Sequence, residues 1–268
     1  MDKEEFKKGV EATFNDVSSR YDENRFFAIS ASKMATLVPA AERLKILDLS
    51  TGTGAVAIAI ASKHQDASIE AVDLSQGMLA IAEAKARERG ITNIGFRCCD
   101  VEKTRYPSAT FDIVTCGYGL FFYPDMEATY QAMCKAIRPG GMFLFSSFTD
   151  AAFNPHAELF LNRLQHDYNI EAPSRIRERL KTPQQIEALA ATSGFKSIDV
   201  IHEPIRYPIT TAEWWSLLNT AGFKSLLDQL DEQQLEQFKH DHVTEIEEIA
   251  NNADIELNAD SLFAVVGF

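Results

Sequence analysis

One repeating pattern between residues 45 and 147 constrains this chain more than anything else in it. Short apolar runs end in an acidic residue or a glycine turn, and helical stretches separate them. Lys45-Ile46-Leu47-Asp48-Leu49 is followed by Ser50-Thr51-Gly52-Thr53-Gly54. Ala55 to Ala61 comes next, small and apolar on all sides, which suits a helix buried against a sheet. Ser68 to Val72 ends at Asp73. Ser75 then caps a predicted helix to Arg89, with Met78, Ala82 and Ala86 on one face and Gly90 as its stop. Ile94 to Cys99 ends at Asp100, and Phe111 to Cys116 runs into Gly117-Tyr118-Gly119. A helix from Met126 to Ile137 stops at Arg138-Pro139-Gly140-Gly141, before a fifth strand from Met142 to Ser147. Strands alternating with helices of this length predict an α/β fold whose mostly parallel sheet carries helices on both faces.

The flanks read differently. Phe6, Val10, Phe14, Val17 and Tyr21 recur on one helix face, and a second helical segment runs from Phe26 to Val38. Residues 1–38 are therefore expected to form a helical cover. After about Thr149 the alternation fades. Phe153 to Ile170 reads as a helix, and Thr182-Pro183-Gln184-Gln185 is a helix start with its own cap. Lys196 to Ile209 reads as extended. Thr211 to Leu230 reads as a helix carrying Trp214 and Trp215. Leu235, Phe238, His242, Ile246 and Ile249 mark one face of an acidic helix, and Ser261 to Phe268 is a late strand, expected to be antiparallel. The expected division is a cover at 1–38, a core at 39–150 with 255–268, and a mostly helical lid at 151–254.

Charge and composition narrow the partners. The 39 acids against 26 bases leave a net charge of −13, and such a field repels nucleic-acid phosphate and anionic membranes. The residues after Met1 form no apolar leader, and no apolar run approaches the ~20 residues of a membrane span. The four cysteines (Cys98, Cys99, Cys116 and Cys134) contain no C-x-x-C. The expectation is a cytoplasmic protein without a membrane span, and a homodimer is allowed. His240 and His242 lack metal spacing, so no metal is expected.

In an open parallel sheet, ligands sit outside the carboxyl ends of the strands. Gly52, Gly54 and Ala57 fit G-x-G-x-x-A, and Asp73 follows at dinucleotide spacing, so glycines alone leave a nicotinamide cofactor and other nucleosides open. Charge separates them. No Lys or Arg lies between Asp48 and Ser62, whereas Asp48, Asp73 and Asp100 end successive strands. A carboxylate disfavours a pyrophosphate and favours a cation. This suits a ligand with a positive end, a ribose with both hydroxyls free and a donating adenine amino group. S-adenosylmethionine has all three.

These segments also carry a family resemblance. Ile46 to Gly54 resembles motif I of class I S-adenosylmethionine-dependent methyltransferases. Ala71-Val72-Asp73-Leu74-Ser75 with Met78-Leu79 resembles their second motif, and Cys99-Asp100-Val101-Glu102 their adenine-contacting motif. Phe111 to Val114 and Ile137 to Gly141 match the fourth strand and the turn before the fifth. Ser50 departs from the glycine that the family usually has. Phe14 to Asp22 with Asn24 is similar to the N-terminal segment of the ubiquinone/menaquinone-type enzymes, as is Gly117-Tyr118-Gly119-Leu120. Their usual Arg-Asn is here Phe121-Phe122. The resemblance implies a Rossmann-like seven-stranded sheet and in-line methyl transfer to a small-molecule acceptor. It implies cofactor contacts from Asp48, Ser50, Thr51, Gly52, Gly54, Asp73, Leu74, Met78, Asp100, Val101, Cys116 and Gly117.

Tyr21, Tyr118 and His156 are the candidates at the transfer site, with Phe122 and Tyr123 shaping the pocket. His202, Arg206 and Trp214 are further candidates from the lid. Arg175, Arg177, Arg179 and Lys181 form a basic cluster that reads as solvated lid surface. A nicotinamide-dependent oxidoreductase and a non-catalytic S-adenosylmethionine binder are the alternatives.

Overall fold

A computed structural model describes residues 2–171, 179–220, 222–251 and 253–268. Arg175 and Arg177 lie outside the described residues. The main sheet has seven strands. They are β1 (Lys45–Leu49), β2 (Ser68–Asp73), β3 (Ile94–Cys98), β4 (Phe111–Gly117), β5 (Ile137–Phe148), β6 (Ser197–Glu203) and β9 (Ser261–Gly267). Their order is β3-β2-β1-β4-β5-β9-β6. β1 to β5 are parallel, and β9 inserts antiparallel between β5 and β6. Strand order reverses at β1/β4, which is where such a sheet opens a crevice for ligands.

Local chemistry sets the helices as expected. α3 (Ala55–Lys63) follows the glycine loop, and α4 (Gln76–Glu88) starts at Ser75, whose hydroxyl accepts from the Met78 amide. α5 (Met126–Ala136) is capped by Asp125, and α7 (Pro183–Ala190) by Thr182 with Pro183 in its first turn. The cover comprises α1 (Lys3–Val17) and α2 (Arg25–Leu37), joined through a 3-10 turn at Tyr21–Glu23. Tyr21 therefore leaves α1 and is carried by that turn.

The lid contains α6 (His156–Tyr168), α8 (Thr211–Thr220), α9 (Lys224–Leu227) and α10 (Glu232–Ile249). Their apolar faces meet in a core of Phe160, Trp214, Leu218, Phe238 and Ile246. Ile249 lies past the end of that stripe and is exposed.

Two segments depart from the expected division. β6 falls within 151–254 yet pairs with β9 along its whole length, because the outer face of β9 needs a hydrogen-bonding neighbour. Residues 255–258 lie outside the main sheet. As β8 (Ile255–Asn258) they pair with β7 (Arg206–Ile209) in a separate two-stranded ribbon. Pro208 in β7 lacks an amide N–H, which suits an edge ribbon and not a central strand. β5 also begins at Ile137, five residues before the expected Met142.

Candidate active site

The loops after β1 to β4 meet α1 around a cavity of about 100 Å³. Its floor is Ser50, Gly52, Asp73 and Gly117; Leu74, Met78, Asp100 and Val101 form one end, and Tyr118 the other. Lys7, Val10, Phe14 and Tyr21 roof it from the cover. Gly52 has φ +56°, and a Cβ there would meet nothing within 4 Å, so bare backbone faces the cavity. Asp73 is held from both sides: Oδ2 accepts from the Gly52 N–H and Oδ1 from the Ser75 N–H, each at 2.8 Å. Each carboxylate oxygen keeps acceptor capacity for a ligand hydroxyl. Burial raises the Asp73 carboxyl above the usual range, and the Ser75 and Gly52 amides pull it back.

The three strand-end carboxylates prove unlike one another. Asp48 does not reach the cavity. It is fully buried beneath the loop and accepts 2.6 Å hydrogen bonds from the Thr51 and Thr115 hydroxyls. Burial pushes its carboxyl up to about 6, against those two hydroxyls. Its side chain follows the alternation of β1 into the sheet layer, and its task is to hold the turn. Asp100 does line the cavity, but Lys7 and Lys103 attend its Oδ2 at 2.7 and 3.6 Å.

Thr51, Gly54 and Cys116 do not line the cavity. Thr51 is turned onto Asp48. Gly54 adopts φ +79°, and a Cβ there would stand 2.9 Å from Ala82 Cβ, so it serves helix packing. Cys116 is buried behind the loop.

Ser50 takes φ +48°, a left-handed conformation that favours glycine. Its hydroxyl lies 2.8 Å from that of Tyr123. Gly119 faces it, and a Cβ there would come within 2.6 Å of Ser50 Cβ.

A second cavity of about 270 Å³ adjoins the first and shares Phe14, Tyr21, Tyr118 and Phe122 with it. Phe26, Phe27, Phe148, Phe153 and Phe223 supply most of its remaining apolar wall. Tyr21 stacks on Phe27 at 4.4 Å and Tyr118 on Phe148 at 4.2 Å. The Tyr118 hydroxyl is 2.7 Å from Ser261 Oγ. Burial pushes the Tyr118 phenol up to about 12 and that of Tyr21 higher still, so both stay protonated. Arg179 and Lys181 line this second cavity and not open lid surface, and Arg179 Nη1 donates to the Phe121 and Tyr123 carbonyls. The Thr149 hydroxyl, also on this wall, is buried without a hydrogen-bond partner.

His156 does not reach either cavity. It is buried against Trp214 in the lid core, with ring centroids 5.7 Å apart. Burial lowers its pKa. Trp214 is fully buried and donates to His242 Nε2, while Arg206 forms a two-pronged pair with Asp260. His202 is mostly exposed, 3.6 Å from Asp260. None of His156, Trp214, Arg206 and His202 lines either cavity. Lys7, Val10 and Phe14 join the expected residues in lining the cavity, and the sequence signal for the latter two is their spacing with Tyr21 on one helix face.

A methyltransferase-domain family model matches residues 46–141. Demethylmenaquinone methyltransferase of Thermus thermophilus is 30% identical over 216 residues, covering 74% of this chain and 94% of that protein. The chain belongs to the S-adenosylmethionine-dependent methyltransferases. The crystal structure of the YcgJ protein from Bacillus subtilis superposes with a TM-score of 0.59 at 19% identity, covering 88% of this chain and 97% of that one. Phosphoethanolamine N-methyltransferase 2 of Haemonchus contortus was solved with phosphomonomethylethanolamine and S-adenosylhomocysteine. It gives a TM-score of 0.53 at 20% identity, covering 85% of this chain and 49% of that one. Both likenesses concern the fold.

Proposed function

We propose that the chain transfers a methyl group to an apolar, ring-bearing small molecule held in the aromatic cavity. The observation that carries this reading is the shared wall: Phe14, Tyr21, Tyr118 and Phe122 belong to both cavities. In this reading Asp73 accepts from the two ribose hydroxyls, and Leu74, Val101 and Asp100 flank the adenine. Ser50, Gly52 and Gly117 border the amino-acid end. S-adenosylmethionine, when bound, supplies a methyl group already activated on a sulfonium. The aromatic faces of the shared wall stabilise positive charge there and exclude water.

Among the described residues the shared wall holds no general base, and the carboxylate lining the aromatic cavity, Asp150, lies outside that wall. The Tyr21 and Tyr118 phenols keep their protons, and His156 lies elsewhere. Catalysis then comes from orientation, which supplies up to ~7–11 kcal/mol when reacting atoms are well aligned. An acceptor that is itself a good nucleophile fits such a site. The cover (1–38), the core (39–150 with 255–268) and the lid (151–254) each lend residues to the aromatic cavity, with β6 of the lid completing the sheet. The acidic chain favours a small acceptor over nucleic acid.

Calorimetry with S-adenosylhomocysteine tests the cofactor half. Submillimolar binding is expected, with none for nicotinamide dinucleotides. Asp73→Ala should weaken it at least about tenfold through lost charge-assisted hydrogen bonds, whereas Asp48→Asn should stay within about threefold. The reverse order would move the ribose away from Asp73. Turnover against a panel of aryl and aliphatic acceptors tests the other half, and activity confined to aliphatic amines would refute the aromatic assignment.

A further inference from the structure

Among the described residues lining the cofactor cavity, Lys7 has the one basic side chain. Its Nζ lies 2.7 Å from Asp100 Oδ2, 3.3 Å from Glu102 Oε2 and 3.2 Å from Glu4 Oε1. The Lys7 side chain is 12% exposed, and those of Asp100 and Glu102 are 17% and 13% exposed. Asp100 and Glu102 belong to the loop after β3, at the adenine end. Removing a lysine this well enclosed leaves carboxylates of another segment buried without a partner, a larger loss than at an exposed pair.

The two ends of α1 are held by different chemistry. Near its C-terminus, Asn15 Oδ1 accepts from the Gly77 N–H and the Ser75 hydroxyl, both at 2.8 Å. A Cβ on Gly77 would come within 3.0 Å of that oxygen, so the glycine permits the contact. Asp22 then accepts from the Thr53 hydroxyl at 2.6 Å and pairs with Lys85 at 2.7 Å. The N-terminal half makes ion pairs: Lys7, then Lys103–Glu4 and Lys3–Asp125, whose lysines are more than half exposed. Val10 and Phe14 span the cavity between these two ends. Lys7, Val10, Phe14 and Tyr21 lie over a cavity of about 100 Å³, so a nucleoside enters past this roof.

We infer that Lys7 is the latch of the cofactor site. The N-terminal half of α1 lifts about the Asn15–Gly77 anchor, Lys7 leaves Asp100 and Glu102 while the ligand enters, and its return closes the adenine end. Lys7 is a positioning residue, and its effect falls on how fast the cofactor leaves. This rests on the assignment of this cavity to the cofactor.

Stopped-flow release of S-adenosylhomocysteine from the wild type, Lys7→Met and Lys3→Met tests it. Lys7→Met should release about tenfold faster, and its release rate should lose most of its salt dependence. Lys3→Met, which removes an exposed pair, should stay within about twofold. Hydrogen exchange on the ligand-free protein gives a second reading. Amides of residues 3–12 should exchange faster in Lys7→Met while those of 76–88 are unchanged, which also shows that the variant is folded. Release within twofold of the wild type, or unchanged exchange at 3–12, would overturn the latch. Tighter binding by Lys7→Met would overturn it too, since Lys7 would then compete with the ligand for Asp100. A wild type that fails to bind the ligand would count against the cofactor assignment, with the exchange comparison still deciding the latch.

Discussion

Ser50 and Gly119 form a matched pair at the residue scale. The left-handed backbone at Ser50 costs roughly 1 kcal/mol relative to glycine, and the hydroxyl contact to Tyr123 offsets a similar amount. The Ser50 side chain leaves no space for one at position 119. Gly119→Ala should therefore lower stability by about 1–3 kcal/mol through overpacking, although its own φ of −102° tolerates alanine. In a Ser50→Gly background the same substitution should cost much less, giving a coupling of about 1 kcal/mol or more in a denaturation double-mutant cycle. Additive effects would mean that the two sites do not touch. The sequence showed that Ser50 stands where related chains have glycine, but not what absorbs the strain. It also showed three strand-end acids without ranking them. Asp48 is separated from the cavity by its bond to Thr115, a residue 67 positions away, and only the β1–β4 register brings the two together.

The lid helices carry the clearest pH-dependent feature at the scale of elements. His242 on α10 is fully buried and accepts from the Trp214 indole of α8 at 3.0 Å. Burial pushes its pKa down to about 3, and Arg163 and His156 on α6 add repulsion. The unfolded chain binds this proton near pH 6.5 and the folded chain does not. The stability that depends on neutral His242 is thus complete above pH 6.5 and erodes as pH falls from there toward 3. Asp48 slopes the other way, since its raised carboxyl gains from protonation as pH falls through about 6. The His242 effect is therefore isolated by comparison with His242→Gln, which can still accept from Trp214. Relative to that variant, the wild type should lose about 1.4 kcal/mol per pH unit across the mildly acidic range, read from denaturant unfolding at several pH values. A constant difference would place His242 in contact with water. Helix α10 was legible as an amphipathic stripe, and so were the caps at Ser75 and Thr182. The β6/β9 pairing was not, because an extended segment inside an irregular region carries no mark of its partner.

At the scale of the whole molecule, the cover, the sheet and the lid all lend side chains to the aromatic cavity, and stretches far apart in the sequence build it. Phe26 and Phe27 come from α2, Tyr118 and Phe148 from strand ends, and Phe153 and Phe223 from the lid. Each was visible as an aromatic residue, whereas their convergence follows from chain crossings that no local pattern encodes. The charge of −13 is a property of the same whole. S-adenosylmethionine carries one net positive charge and S-adenosylhomocysteine carries none, while their shapes are nearly the same. An acidic molecule steers the first toward its surface and is indifferent to the second. Raising ionic strength shortens the Debye length to about 8 Å at 0.15 M, which removes the steering and leaves the contacts inside the cavity largely untouched. The association rate of S-adenosylmethionine should therefore fall a few-fold between low and high salt, and that of S-adenosylhomocysteine by less than about twofold. Stopped-flow association with both ligands reads the difference. Equal salt responses would mean that the excess acid lies on surfaces whose field does not reach the roofed opening over Asp100.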